Sequence, residues 1–364
     1  MIAVLGGLAA LGLGGEVLVR GASGLARSFG LSPLVIGLTV VSFTTSAPEL
    51  AVTLQAALAG NPGLAVGNVV GSNIANVLFI LGICAMIVPL TVRSEMVRRD
   101  IPVAVAVSVL LLILSAGGTV SPLAGGILLA VLVVYLALSV VISRRRSPAE
   151  RGASAAAKPR PVAISILMVL IGVGSLVLGA LLLVRGATDI AVAIGVSDLV
   201  IGLTVVAVGT SLPEFATSLT AVLRGQTDLA VGNIVGSCVF NIGAVLGLTA
   251  IITPGGVPVA PAAIRLDMPV MIAVTLALIP VAFTGFTIKR WEGGLFFAYY
   301  AAYVVYVLLD ASGHDAVEPF SGVMLGFVMP ITVLWLAVLA AYELGKRRGA
   351  ALGAHHPDRR RFTR

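Results

Sequence analysis

The chain is 364 residues long, and 59% of them are hydrophobic whereas only 11% are charged, which gives a mean hydropathy of +1.11. A soluble core cannot hide so much apolar surface, so the composition excludes a soluble globular protein and predicts a polytopic membrane protein. Apolar segments recur along the whole length, and the first has no basic region ahead of it, which favours a first spanning helix over a cleaved signal peptide.

The formal charge of +7 is concentrated in two segments. Residues 144–160 carry six basic residues and one acidic residue, and residues 345–364 carry seven and one, so the two segments net +11 and the remaining chain nets −4. Basic connections of membrane proteins remain on the cytoplasmic side. No recognition module accompanies the charge, and we therefore expect no nucleic-acid partner.

A helix needs about 20 apolar residues to cross the hydrocarbon of a bilayer. Segments of this kind lie near 2–20, 32–58, 64–90, 101–116, 122–143, 162–184, 197–223, 230–253, 267–284, 290–309 and 321–343. Lysine and arginine concentrate in every second connection, starting after the first span, which predicts an external amino terminus and an internal carboxy terminus.

Two segments of the chain repeat each other. Residues 37–82 and 202–247 align without a gap and are identical at 25 of 46 positions. Five spans separate the two copies, so they enter the membrane from opposite sides, as inverted repeats of secondary transporters do. The predicted fold is an all-α polytopic membrane protein with two inverted-topology five-helix repeats, ten core helices in total, and one extra carboxy-terminal helix.

The span pattern also predicts the boundaries of these parts. They are a first five-helix repeat (1–143), a basic cytoplasmic hinge (144–160), a second five-helix repeat (161–310), an extra membrane helix (320–344) and a basic cytoplasmic tail (345–364).

Each copy places one glutamate after a proline within an apolar run: Glu49 follows Pro48, and Glu214 follows Pro213. An ionisable side chain at membrane depth costs several kcal/mol and is usually kept for transport or ligation. Proline has no amide hydrogen, so each proline leaves a backbone carbonyl one turn earlier without its helical donor. The sequence therefore predicts two interrupted helices that carry one carboxylate each.

Further oxygen-bearing residues share a helix face with the glutamates, because they recur every three or four positions. In the first copy these are Ser42, Thr45 and Ser46, followed by Asn68, Ser72 and Asn76. In the second copy they are Ala207, Thr210 and Ser211, followed by Asn233, Ser237 and Asn241.

Carboxylates, hydroxyls, amide oxygens and free carbonyls form a site for hard cations. Calcium accepts about six to eight oxygen ligands in irregular geometry, whereas magnesium demands an octahedron. Two glutamates balance one divalent ion, and the same oxygens could instead hold several sodium ions. Competition between Ca2+ and Na+ for one site that opens to either side is what antiport requires.

The segments 44–49 (TTSAPE) with 67–76 (GNVVGSNIAN), and 209–214 (GTSLPE) with 232–241 (GNIVGSCVFN), resemble the two α-repeats of the cation/Ca2+ exchanger superfamily, and prokaryotic sodium/calcium exchangers most closely. The resemblance covers about residues 1–310. It implies a ten-helix core in a prokaryotic plasma membrane, with the first and sixth helices sliding as a gate. We also expect no cofactor, and a monomer is expected to be sufficient for transport, with the oligomeric state left open.

The same resemblance implies a set of ligands around one calcium site and adjacent sodium sites. The side chains are those of Glu49, Glu214, Thr45, Thr210, Ser46, Ser211, Ser72, Ser237 and Asn76, and the sodium-binding carbonyls are those of Ser42 and Ala207. Two departures bear on the site. Asn241 stands where potassium-dependent relatives carry an acid, which makes potassium coupling unexpected, and Cys238 stands where the first copy has Asn73.

The expected function is electrogenic exchange of sodium for calcium by alternating access, and three other functions are alternatives to it. Calcium/proton exchange could use the same glutamates as proton carriers. A passive cation channel would also line its path with oxygens, but inverted repeats with kinked helices favour alternating access. An intramembrane hydrolase would need a core histidine, paired aspartates or a metal triad, and the spans contain none, so we expect no enzymatic activity.

Overall fold

The computed structural model describes residues 2–144, 161–193 and 207–354. The helices are α1 (Ile2–Phe29), α2 (Pro33–Thr45), α3 (Ala47–Leu58), α4 (Pro62–Ile87), α5 (96–115), α6 (Pro122–Arg144), α7 (Val162–Ala193), α8 (Ala207–Gly209), α9 (Leu212–Leu223), α10 (Thr227–Ile252), α11 (Ala263–Phe283), α12 (Arg290–Ala311) and α13 (317–354). The strands are β1 (Leu90–Thr91), β2 (Thr119–Val120), β3 (Val257–Pro258) and β4 (Thr287–Ile288).

Within these residues, eight helices are long and apolar enough to cross a membrane, or nine if α2 and α3, which meet at an angle of 43°, form one broken span. These nine correspond to nine of the predicted segments, so the prediction of an all-α polytopic membrane protein is confirmed. The fourth predicted segment is α5, whose first turns carry Arg98, Arg99 and Asp100. Part of the seventh segment, most of the hinge and the end of the tail lie outside the described residues.

The two helices that follow the glutamates form the centre of the protein. In the most apolar stretches of α4 and α10, 72% and 83% of the residues are buried. The corresponding share is 6% in α12 and in the spanning part of α13. The low burial of α13, which has no counterpart in the repeats, places this helix at the periphery of the described structure.

The two repeats interlock through paired strands. In one ribbon β1 pairs with β4, so that Leu90 lies opposite Ile288, and in the other β2 pairs with β3, so that Val120 lies opposite Val257. Because β1 and β3 each follow a central helix of the repeat, the two ribbons occupy equivalent positions. Each repeat therefore supplies one strand to each ribbon.

Glycines bring the backbones of the two repeats into contact at equivalent places. A Cβ atom on Gly293 of α12 would lie 2.6 Å from the carbonyl oxygen of Gly82 in α4. In the related pair, a Cβ on Gly125 of α6 would lie 2.5 Å from the carbonyl oxygen of Gly247 in α10. Small residues drive such close helix packing in membranes, where the hydrophobic effect cannot.

Wide, π-type turns recur at equivalent points of the two repeats. One begins at Asn76 in α4 and at Asn241 in α10, and another ends at Asp100 in α5 and at Asp267 in α11. Such turns interrupt the regular hydrogen-bond ladder of a helix and are frequent at functional sites. Both asparagines belong to the predicted site, whereas neither aspartate was expected to have a role.

Each of these aspartates accepts a hydrogen bond from a tyrosine on the next helix. The hydroxyl of Tyr135 in α6 donates to Asp100, at 3.1 Å, and the hydroxyl of Tyr303 in α12 donates to Asp267, at 3.2 Å. Asp100 is fully buried and also accepts a hydrogen bond from Arg99, at 2.7 Å. The pairs therefore join α5 to α6 in the first repeat and α11 to α12 in the second.

Removing either hydroxyl should destabilise the protein, since a hydrogen bond to a charged group contributes about 1.5–3 kcal/mol. We expect Tyr135→Phe and Tyr303→Phe each to lower the midpoint of thermal unfolding in detergent by several degrees. Tyr342→Phe, at an exposed tyrosine of α13, is the control and should leave the midpoint unchanged. Unaltered midpoints in both paired variants would contradict the stabilising role of the Asp–Tyr pairs.

Candidate functional site

The helices that carry the glutamates are interrupted at equivalent serines. Ser46, between α2 and α3, has backbone angles φ −83° and ψ 4°, and Ser211, before α9, has φ −88° and ψ 5°. Pro48 and Pro213 occupy the second position of the helices that follow. Because proline cannot donate a backbone hydrogen bond, the ladder is broken at these points and each helix restarts there. The predicted interruptions are therefore present in both repeats.

The two glutamates are joined crosswise to the opposite repeat. Both side chains are completely buried. The hydroxyl of Ser211 donates to Oε1 of Glu49, at 3.5 Å, and the hydroxyl of Ser46 donates to Oε1 of Glu214, at 3.3 Å. The two carboxylates and the two helix interruptions therefore meet in one place at the interface between the repeats.

A second crosswise pair of contacts supports the first. The hydroxyl of Thr210 donates to the amide oxygen of Asn68, at 3.2 Å, and that of Thr45 lies 3.4 Å from the amide oxygen of Asn233. Thr45 has a closer acceptor in the carbonyl of Val41, at 3.1 Å. The predicted threonines therefore contact the asparagines that begin the oxygen row of the opposite repeat.

Those two asparagines are held by hydroxyls of their own repeats. The amide nitrogen of Asn68 donates to Thr53, and that of Asn233 donates to Ser218, at 2.9 Å in each case. Their amide groups are consequently engaged at both ends, so they brace the surrounding helices.

Several buried polar atoms of the predicted site make no hydrogen bond within the described part of the chain. They are Oε2 of Glu49, Oε2 of Glu214, both amide atoms of Asn76, Oγ of Ser237 and Oδ1 of Asn241. Leaving a buried polar atom unpaired costs about 1–3 kcal/mol, and more for a charged one. The unpaired set consists almost entirely of oxygens, which suits a hard cation such as Ca2+ or Na+.

Three further predicted residues complete the set. The hydroxyl of Ser42 donates to the carbonyls of Gly37, at 2.7 Å, and Asn233, at 3.0 Å, so it is engaged in packing. The carbonyl of Ser42 accepts from the backbone amide of Ser46, at 3.0 Å, and lies 3.5 Å from the hydroxyl of Thr45. Ala207 begins α8, and Ser72 is buried in α4.

Asn73, which lies one residue after Ser72, is not among the site residues predicted from the sequence. Its side chain is buried, and its amide oxygen accepts a hydrogen bond from the amide nitrogen of Asn241, at 3.2 Å. The difference from Cys238 at the equivalent position of the second repeat is the signal that could have pointed to it.

Known proteins resemble the chain, and two of the three described here do so over most of its length. Antiporter CaxA of Alkalimonas amylolytica is 40% identical over 282 residues, which are 76% of this chain and 88% of CaxA. Sodium/calcium exchanger MaX1 of Methanosarcina acetivorans is 45% identical over 94 residues, which are 26% of this chain and 27% of MaX1. The solved structure of the sodium-calcium exchanger NCX_Mj soaked with zero Na+ and Ca2+ has a TM-score of 0.72 at 32% identity, and covers 84% of this chain and 97% of its own.

The family described as sodium/calcium exchanger protein matches residues 1–141 and 164–309. These ranges contain both repeats and end before α13. The chain is therefore an integral, multi-pass membrane transporter, rather than an enzyme, and belongs to the sodium/calcium exchanger protein family.

Proposed function

We propose that the protein exchanges sodium for calcium across the membrane and uses inward sodium flow to expel calcium. The crosswise arrangement of Glu49 and Glu214 carries this proposal. Two fully buried carboxylates meet at the interface of inverted repeats, and each has one oxygen without a hydrogen bond in the described chain. A buried charge is retained only when it is paired or coordinates a metal ion.

The charge of this pair determines which ions fit. One Ca2+ neutralises both carboxylates, and more than one Na+ is needed to do the same, because each contributes a single charge. The two ions therefore compete for one set of oxygens. Exchange follows if the site opens to only one side of the membrane at a time and changes sides only when its carboxylates are neutralised. The second condition holds because burying an uncompensated charge is costly.

The proposed ligands come from both repeats. We assign to the ions the carboxylates of Glu49 and Glu214, the hydroxyls of Thr45, Ser46, Ser72, Thr210, Ser211 and Ser237, the amide oxygens of Asn76 and Asn241, and the carbonyls of Ser42 and Ala207. Support comes from the burial of these side chains, of which Thr210 is only half-buried, and from the unpaired oxygens of Ser237, Asn76 and Asn241.

The inverted repeats supply the two states of the transporter. The two repeats make equivalent contacts, as the two ribbons and the two glycine contacts illustrate, and their inverted orientation places these contacts toward opposite sides of the membrane. A rearrangement that opens one side can therefore be reproduced for the other with the repeats exchanged, which is how such transporters alternate access. We assign the amino terminus to the outside and the basic hinge and tail to the cytoplasm of a prokaryotic cell.

Replacing either buried carboxylate should remove transport. Glu49→Gln or Glu214→Gln leaves the site one negative charge short, so a divalent ion is no longer neutralised. We expect a loss of calcium transport of about 100-fold or more, since breaking a buried charged pair costs about 3–5 kcal/mol. The measurement is sodium-driven uptake of radioactive calcium into proteoliposomes with equal amounts of inserted protein.

Glu318→Gln is the matched control, because it makes the same chemical change at an exposed glutamate of α13. It should transport calcium at the wild-type rate. Normal transport by both Glu49→Gln and Glu214→Gln would refute the proposed site.

The coupling ion can be identified with the wild-type protein. Vesicles loaded with sodium should take up calcium, and an inside-positive potential should accelerate uptake if more positive charge leaves as sodium than enters as calcium. Potassium-loaded vesicles should be inactive. Uptake that follows a proton gradient and ignores sodium would instead establish calcium/proton exchange, and uptake down the calcium gradient without any counter-ion would establish a channel.

A further inference from the structure

We propose that Asn73 is a positioning residue that turns the side-chain oxygen of Asn241 toward the transported cation. The inference rests on the proposed function, because it assumes that the amide of Asn241 lines the ion site. Asn73 lies on α4, Asn241 lies on α10, and both side chains are buried. The contact between them therefore joins the two repeats directly beside the predicted ligands.

The orientation of Asn73 follows from its other neighbours. Its amide nitrogen lies 3.2 Å from the backbone carbonyl oxygen of Cys238 and 3.4 Å from the sulfur of Met271. Both are acceptors, so only the NH2 group of Asn73 can face them. The amide oxygen of Asn73 must then point the other way, toward Asn241.

This orientation fixes Asn241 in turn. The oxygen of Asn73 is an acceptor, so Asn241 must present its NH2 group to it, and the two atoms lie 3.2 Å apart. The oxygen of Asn241 is left on the opposite side, and it has no hydrogen bond in the described chain. A cation binds the oxygen of an amide and is repelled by the N–H hydrogens. The Asn73 contact therefore selects the one orientation of Asn241 that can bind an ion.

The first repeat lacks this device. Asn76 is the counterpart of Asn241, and the residue beside it in the place of Asn73 is Cys238. A thiol is a weak hydrogen-bonding group, so its contact with the side chain of Asn76 constrains that amide less than Asn73 constrains Asn241. No stronger partner among the described residues bonds either amide atom of Asn76. The structure thus combines one firmly oriented amide with one that is weakly held, although the two belong to equivalent positions.

A double-mutant cycle with Asn241 tests this role, because a residue that acts only through Asn241 has no effect once Asn241 is removed. We expect Asn73→Leu to raise the KM for calcium about ten-fold in the wild-type background, which corresponds to about 1.4 kcal/mol. In the Asn241→Leu background, the same change should alter KM by less than about two-fold. The maximal rate should stay within about two-fold, since the carboxylates are retained.

Two further variants separate positioning from stability. Thr275→Val removes another buried hydrogen bond of α11, from its hydroxyl to the carbonyl of Met271 at 2.8 Å, and should leave KM unchanged. Asn73→Cys places at position 73 the residue that the second repeat carries, and should raise KM as Asn73→Leu does. It provides the same test if Asn73→Leu fails to insert.

Equal multiplicative effects of Asn73→Leu with and without Asn241 would overturn the positioning role, as would a KM for Asn73→Cys that equals the wild-type value. These outcomes are distinguishable from failure of the proposed function. Wild-type protein without sodium-dependent calcium transport contradicts the function itself, whereas wild-type transport with additive effects contradicts only the role of Asn73.

Discussion

The burial of two carboxylates in one place is the constraint on which the rest of the structure depends. Glu49 and Glu214 are fully buried, and their side-chain hydrogen bonds within the described residues come from neutral serine hydroxyls. Hydroxyl groups can orient a carboxylate, but they cannot neutralise it, and an uncompensated charge in a low-dielectric interior is strongly unfavourable. In the proposed function, the compensating charge is a transported cation that the protein does not retain permanently.

Neither repeat contains a complete site. The carboxylate of each repeat receives its serine from the other repeat, and the strand pairs and glycine contacts are exchanged in the same way. The site therefore exists only where the halves meet. A relative movement of the halves changes the surroundings of both carboxylates together, because each is bonded across the interface. In the proposed exchanger, access to the site and the geometry of the ion ligands are thus coupled.

Much of this was predictable from the sequence, since the repeat, the glutamates and the oxygen rows lie in alignable segments. The crosswise partners were not, because they are separated by 162 and 168 residues and no local pattern links them. The Asp–Tyr pairs could not be predicted from the sequence for another reason. Asp267 follows Asp100 by 167 residues and Tyr303 follows Tyr135 by 168, whereas the gap-free repeat has a spacing of 165. Small differences in loop length hide their equivalence until the helices are seen side by side.

The departures from symmetry are as informative as the symmetry. A site that alternates between one divalent ion and several monovalent ions must accept different numbers and directions of ligands. Calcium tolerates irregular coordination, but each ligand oxygen must still point inward. In our proposal Asn241, held by Asn73, provides a fixed oxygen, while Asn76, whose neighbour is the thiol of Cys238, is held weakly and adjusts as the ion changes. Exact duplication would give two firmly held amides or two weakly held ones. The replacement of Asn73 by Cys238 at the equivalent position of the second repeat would thereby let one site combine a rigid ligand with an adaptable one.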